Sequence, residues 1–338
     1  MVHERKIAGL TEVQSRLPRF PDGAPPDGPR IRDLVTRVVA VLALIVTAAY
    51  LLWRAVATVD LALWWLSIPL YVLELHAAVG LGLYTFSLWD VHAGPRARPV
   101  RESPLRVAVL IPTWNEPPEV LAPTIAAAVA LQPVHETWVL DDGDRPHIAR
   151  LAGDLGARYL RRSDRRHAKA GNLNHAFDVV QADVVAVLDA DHVARPNFLI
   201  NTLGYFDDPR VALVQTPQDF YNLESFEHSR TAARDGFNEQ SLFYRGILAG
   251  KNRWQAAFWC GTNALLRVQA LKEVGGVATE TVTEDIHTSI RLHATGWRTV
   301  YTTRSSPEGW PRPVPASTSC NVTAGAQAPC RSSEPTTR

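Results

Sequence analysis

Carboxylates recur in this chain beside short apolar runs, as Asp141-Asp142-Gly143, Asp189-Ala190-Asp191 and Thr283-Glu284-Asp285. Asp189 and Asp191 follow the apolar run Val184 to Leu188 and are separated by one residue, so the alternation of an extended segment points both to one side. Two carboxylates so placed can share one hard cation, and magnesium or manganese binds through such groups together with substrate phosphates. The same spacing fits a solvated Asp-x-Asp turn, because Asp favours turns. Asp141 and Asp142 end another apolar run, while Thr113, Asn115 and Glu116 follow the run before it. At the C-terminal edge of a parallel sheet such groups meet a nucleotide and accept hydrogen bonds from base or ribose. For Asp142, capping of a helix near Pro146 is the alternative. His167-Ala168-Lys169-Ala170-Gly171-Asn172-Leu173-Asn174 leads into a helical segment and offers Lys169 and backbone amides to a diphosphate. Arg161, Arg162, Arg165 and Arg166 crowd the same loop, and because most charge runs are solvated, few of them are expected to touch ligand.

These groups need a scaffold that gathers them, and the pattern predicts an α/β one. After a Pro/Arg linker from Gly94 to Pro104, short apolar runs alternate with helical segments. Strands are predicted at Val107 to Ile111, Thr137 to Leu140, Ala157 to Leu160, Val184 to Leu188 and Val211 to Val214. Helices are predicted at Pro118 to Leu131, Ala170 to Val180, Ser225 to Leu248 and Val268 to Val274, the last stopped by Gly275-Gly276. Thr283 is the expected N-cap of a further helix through Ile286, Ile290 and Leu292, with Asp285 in its first turn.

Two apolar blocks precede this region. Leu34 to Val56 is long enough to span hydrocarbon at roughly 20 residues. Leu61 to Trp89 is a second such stretch, interrupted by Pro69, Glu74 and His76, with Trp64, Trp65 and Trp89 placed as interfacial anchors. A pair of transmembrane helices is expected, and two buried core helices are the alternative. Arginines before the first block and after the second place both ends of the hairpin in the cytoplasm by the positive-inside rule. Glu74 and His76 form an intramembrane pair, or face a neighbouring helix. The polar leader fits no secretory signal. A formal charge of +1 argues against a nucleic-acid partner, and Cys260, Cys320 and Cys330 have no zinc-like spacing and imply no disulfide.

From about Val107 to Tyr301 the chain resembles the family 2 glycosyltransferases, most closely their bacterial cellulose synthase branch. The strings that carry the resemblance are VLDDG (Val139 to Gly143), HAKAGNLN (His167 to Asn174), LDADH (Leu188 to His192), VQTPQDFYN (Val214 to Asn222), FWCGTNALLR (Phe258 to Arg267) and ETVTEDIHTSIRLHATGW (Glu280 to Trp297). The resemblance implies a GT-A type, Rossmann-like domain and inverting transfer from a UDP-sugar, with UDP-glucose the expected donor and a growing β-linked polysaccharide such as cellulose the acceptor. It places Thr113, Asn115, Glu116, Asp141, Asp142, Lys169, Asn172 and Asp189 on the donor, and Asp189 and Asp191 on Mg2+ or Mn2+. It makes Asp285 the general base, with Glu284 and Thr283 beside it. It puts Trp259, Cys260, Gly261 and Gln215 on the acceptor, where an aromatic face can stack on a sugar; core packing is the alternative for Trp259. It further implies a multi-pass protein of a bacterial-type inner membrane, with a cytoplasmic catalytic domain, the lipid bilayer and accessory synthase subunits as partners.

The expected organisation is a cytoplasmic leader over 1–33, two transmembrane helices within 34–89, a linker over 90–105, the glycosyltransferase domain over 106–301 and a tail over 302–338. The resemblance also calls for a Gln-x-x-Arg-Trp motif and further membrane helices, and the sequence contains no such motif. The Ser/Thr/Pro/Arg-rich composition after Tyr301 predicts disorder. A reading frame shifted by one nucleotide after Tyr301 permits a continuation containing QRHRW, so the tail is expected to be a frameshift product. The alternatives in function are a chitin, hyaluronan or mannan type or non-processive transferase, and a catalytically dead nucleotide-binding fragment.

Overall fold

The computed structural model describes residues 30–92, 94–218 and 242–303. The leader, the tail beyond residue 303, Cys320 and Cys330, most of the helix expected from Ser225 to Leu248 and the end of the VQTPQDFYN string lie outside the described residues.

Helices α1 (Arg30–Ala57) and α2 (Trp64–Leu88) take up the two apolar blocks. Both are long and apolar enough to cross a membrane, and few or none of their residues are buried among the described residues. They pack on each other. Glu74 pairs across the hairpin with Arg54, Nε to Oε2 at 3.1 Å, so it faces the neighbouring helix rather than pairing with His76. Tyr71 Oη donates to the Leu51 carbonyl at 3.4 Å beside it.

The remainder is built on a seven-stranded sheet of β1 (Val107–Thr113), β2 (Glu136–Asp141), β3 (Arg158–Leu160), β4 (Val184–Val187), β5 (Val211–Gln215), β6 (Ala264–Arg267) and β7 (Arg298–Tyr301), in the order β3-β2-β1-β4-β6-β5-β7. Strands β1 to β4 pair in parallel, as do β5 and β7, while β6 runs antiparallel to both neighbours. The sheet is therefore mixed. Strands β6 and β7 were not expected from the apolar pattern, because ALLR reads as the approach to a helix and RTVY carries two polar residues.

Helices α3 (Pro118–Val129), α4 (Pro146–Leu155), α5 (Ala168–Val179), α6 (Phe198–Thr202), α7 (Val268–Glu273) and α8 (Glu284–Ala294) complete the layers. Side chains of β1 alternate between two cores: Val107, Val109 and Ile111 join α3 and α4 on one face, and Ala108 and Leu110 join α5 and α7 on the other. Both faces being covered explains why the strands read as continuous apolar runs. Each fully buried Ile, Leu or Val among them contributes roughly 1.5–3 kcal/mol.

Residues 242–254, a π-helical segment (Leu242–Leu248) followed by short helical turns, dock on the end of α2. Trp254 stacks on Phe86 with ring centroids 4.2 Å apart. Asn252 Nδ2 donates to the Tyr301 carbonyl at 2.6 Å and its Oδ1 accepts the Tyr301 amide at 2.7 Å. Gly250 meets α2 directly, because a Cβ there would lie 1.8 Å from the Ser87 carbonyl oxygen. Gly250→Ala is therefore expected to destabilise the detergent-solubilised chain by about 1–3 kcal/mol through overpacking. In the same thermal unfolding measurement Gly246→Ala, whose Cβ would meet a flexible Leu88 Cδ2 at 3.1 Å, should change stability by less than about 0.5 kcal/mol.

Candidate functional site

The C-terminal ends of β1, β2 and β4 open on one edge of the sheet. Because β6 is antiparallel, its start joins them: Ala264 lies beside Val187 of β4 and Gln215 of β5. The loop Cys260 to Asn263 thus reaches the edge where the carboxylates stand.

On the β2 side, Asp141 is 1% exposed. It accepts the amides of Gly143 and Arg145, each at 2.9 Å, the Arg145 guanidinium at 3.0 Å and the Tyr159 hydroxyl at 2.9 Å. Burial and this bond to a carboxylate push the Tyr159 phenol up to about 12. Asp141 thus organises its own loop through these bonds. Asp142 binds Arg162 bidentately, with Nε to Oδ1 at 2.6 Å and Nη2 to Oδ2 at 2.7 Å. It does not cap α4, whose N-cap is Arg145. Glu116 Oε2 accepts the Thr113 hydroxyl at 2.6 Å and the amides of Trp114 and Asn115 at 2.9 and 3.2 Å. Burial works against its ionisation, but these bonds together hold it below the usual carboxylate range. Thr113 and Glu116 therefore shape the β1 loop, from which Trp114 projects 67% exposed. Asn172 is likewise structural, since it is buried and donates to the Leu140 carbonyl at 2.9 Å.

On the β4 side, Asp189 receives the Lys169 ammonium, which also donates to the Gly261 carbonyl at 2.7 Å. The Asp189 amide donates to Thr262 Oγ1 at 2.9 Å. Asp191 Oδ1 lies 2.7 Å from His192 Nδ1, and this contact holds the carboxyl below its usual range despite burial. Ligand atoms of Asp189, Asp191 and His192 all lie within 4.8 Å of one another. A divalent ion accepting oxygen donors and an imidazole fits that set. His192 follows Asp191 directly, but the period of two along an extended segment singles out only Asp189 and Asp191 in the sequence.

Asp285 sits in the first turn of α8, where Oδ1 accepts the Ile286 amide at 2.8 Å. A Cβ built on Gly261 would lie 3.3 Å from Asp285 Oδ2 and 3.7 Å from Lys169 Nζ, so both side chains flank that glycine. The helix is locked by two small hydroxyls one turn further on. Ser289 accepts the Trp259 amide at 2.9 Å and Thr288 accepts the Ala278 amide at 2.9 Å. Thr283 occupies the N-cap position without a side-chain capping bond; its carbonyl accepts the His287 amide, and the Glu284 carbonyl accepts the Thr288 hydroxyl.

Two of the expected acceptor residues are internal. Trp259 is 1% exposed and packs in the core with Leu110 and Leu173, so its ring takes the core-packing alternative and offers no face to a sugar. Gln215 is fully buried; its Oε1 accepts the Cys260 amide and its Nε2 donates to the Thr262 carbonyl, each at 2.9 Å, which fixes the loop carrying Gly261. Cys260 is part-buried, and burial, with the Asp285 charge adding, pushes its thiol up to about 12. Tyr244 is raised by burial and by the nearby Cys260, Asp189 and Asp285.

With that geometry in place, residues 108–275 match the family model described as Glycosyl transferase family 2. The chain carries a family 2 glycosyltransferase domain. It is 38% identical over 271 residues to the UDP-forming cellulose synthase 1 catalytic subunit of Komagataeibacter xylinus, a match covering 77% of this chain and 36% of that protein. It is 37% identical over 279 residues to the UDP-forming cellulose synthase catalytic subunit of Pseudomonas fluorescens, covering 79% of this chain and 38% of that protein. The chain thus spans little more than a third of these relatives. Among solved structures, a mannosyltransferase from Pyrobaculum calidifontis in complex with GDP-Man and Mn2+ superposes with a TM-score of 0.51 at 22% identity, covering 68% of this chain and 64% of that one. The family 2 domain therefore has a GT-A-like fold, as the α/β pattern and motif order led one to expect.

Within this family 2 domain, Asp141→Asn should act on stability. It leaves the Arg145 guanidinium, 15% exposed, without its charge partner and is expected to cost roughly 3 kcal/mol in denaturant unfolding. Cys260, held as a thiol, should resist iodoacetamide at pH 8 in the folded chain and be labelled on unfolding, as read by mass spectrometry.

Proposed function

We propose that this chain transfers a glycosyl unit, with inversion, from a UDP-sugar to the hydroxyl of a growing β-linked polysaccharide, UDP-glucose and a glucan such as cellulose being the substrates. The observation that carries this reading is a linked cluster at one sheet edge: Asp285 and Lys169 flank Gly261, Lys169 also bonds Asp189, and Asp189 lies within 4.8 Å of ligand atoms on Asp191 and His192. The cellulose synthases it resembles support the choice of donor.

Asp142 and the exposed Trp114 bound the nucleotide side of the crevice, where Trp114 offers an aromatic face to a base and Asp142 a carboxylate. Lys169 moves from Asp189 to the donor diphosphate and offsets the negative charge that grows on the leaving group. Asp189 and Asp191, with His192 beside them, would hold Mg2+ or Mn2+, which when bound supplies Lewis-acid stabilisation of that same charge. Asp285 accepts the proton of the acceptor hydroxyl as the hydroxyl oxygen bonds to the anomeric carbon and the UDP oxygen departs from the opposite face. Its place beside Gly261 makes the Cys260 to Thr262 loop the floor on which the acceptor rests. The α1–α2 hairpin crosses the bilayer, with the domain over 106–301 on its arginine-rich, cytoplasmic side.

Asp285→Asn is expected to abolish turnover of UDP-glucose, by at least about a hundredfold, while leaving UDP affinity within about twofold. Asp189→Asn and Asp191→Asn should weaken both turnover and magnesium-dependent UDP binding. Isothermal calorimetry beside sugar incorporation separates these results, and a parallel loss of UDP affinity in Asp285→Asn would remove it from the role of base. Incorporation from UDP-N-acetylglucosamine or GDP-mannose in place of UDP-glucose would reassign the donor.

A further inference from the structure

Arg162 lies between the two halves of the site and contacts both, although its side chain is only 7% exposed. Toward β2 it grips both oxygens of Asp142 at 2.6 and 2.7 Å. Toward α5 its Nη1 donates to the Arg166 carbonyl and its Nη2 to the Ala168 carbonyl, each at 2.9 Å. The turn it holds is strained: His167 and Ala168 both have positive φ, 63° and 40°, which non-glycine residues rarely adopt. Such a turn persists only where its surroundings over-determine it. Lys169 is the next residue. There is no slack at the contact, because a Cβ on Gly171 would lie 2.5 Å from Arg162 Nη1 and 2.2 Å from the Arg166 carbonyl oxygen.

We infer that Arg162 is a positioning residue that joins the nucleotide-side carboxylate Asp142 and the lysine-bearing turn into one unit, so that Lys169 meets the diphosphate only while Asp142 is in place. The planar guanidinium is required for this, since it serves a carboxylate bidentately and two carbonyls at once, and an ammonium cannot match that fork. Arg161 and Arg166, by contrast, are spent on exposed pairs with Asp144 and Asp164. The inference rests on the donor reading above for its ligand, but its mechanical part concerns the turn alone.

The test compares UDP with UMP in calorimetry with magnesium, and follows amide hydrogen exchange over residues 166–171, in the full chain in detergent. Lys169→Met should lower the preference for UDP over UMP about tenfold, the worth of a charge-assisted hydrogen bond. Arg162→Lys is expected to reproduce most of that loss, and the double variant to lose no more than either alone. Amides 166–171 should exchange faster in Arg162→Lys and also in Asp142→Asn, with Arg162→Gln as a second variant should the first fold poorly. A purely structural Arg162 would weaken UDP and UMP equally, and that result overturns the proposal. Additive losses, or unchanged exchange at the turn in either Arg162→Lys or Asp142→Asn, overturn it as well. A wild-type chain that binds no UDP would defeat the donor reading instead, and the exchange comparison then decides the coupling by itself.

Discussion

The crowding of negative charge at one sheet edge is the constraint on which the rest depends. Two like charges about 5 Å apart repel by about 3 kcal/mol at an effective dielectric of 20. The fold answers by giving three of the carboxylates a cation, Arg145 for Asp141, Arg162 for Asp142 and Lys169 for Asp189, while Asp191 meets the His192 ring. Asp285 stands apart on the first turn of α8, its carboxylate bonded to a backbone amide. The partners differ in kind. Fork-shaped guanidinium contacts are held by several bonds, whereas the ammonium of Lys169 divides its bonds between Asp189 and the Gly261 carbonyl.

Chain direction does the second part of the work. A parallel β6 would have carried its leading loop to the far edge of the sheet, away from every carboxylate. Running antiparallel between β4 and β5, it delivers Gly261 to the site, and Gln215 at the end of β5 secures that loop from below.

Much of this was legible in the residues, and what was not has identifiable physical causes. The apolar runs at Val107, Thr137, Val184 and Val211 located their strands because most positions on both faces are buried and filled by apolar side chains. Strand β7 escaped because Thr299 satisfies its hydroxyl inside the protein, on the Ala257 carbonyl, and so reads as polar while being buried. The internal bonds of Asp141 and Asn172 were not legible, because a polar residue in a crevice looks the same in sequence whether its bonds go inward or outward. Trp259 shows the converse, an aromatic residue beside a site whose surface is used in the core. Lys169, Asp189, Asp191 and Asp285 stand at one sheet edge, at strand ends and helix starts whose positions follow from local periodicity.

The pairing of the Asn252 carboxamide with Tyr301 has a consequence outside the active site. Strand β7 is the last of the sheet among the described residues, and the amide and carbonyl of Tyr301 are groups an incoming strand would use. A side chain that fills both positions ends the sheet as a plug rather than as a template. For a chain whose apolar hairpin would confine its copies to one plane at high local density, closing that edge protects against strand-to-strand association.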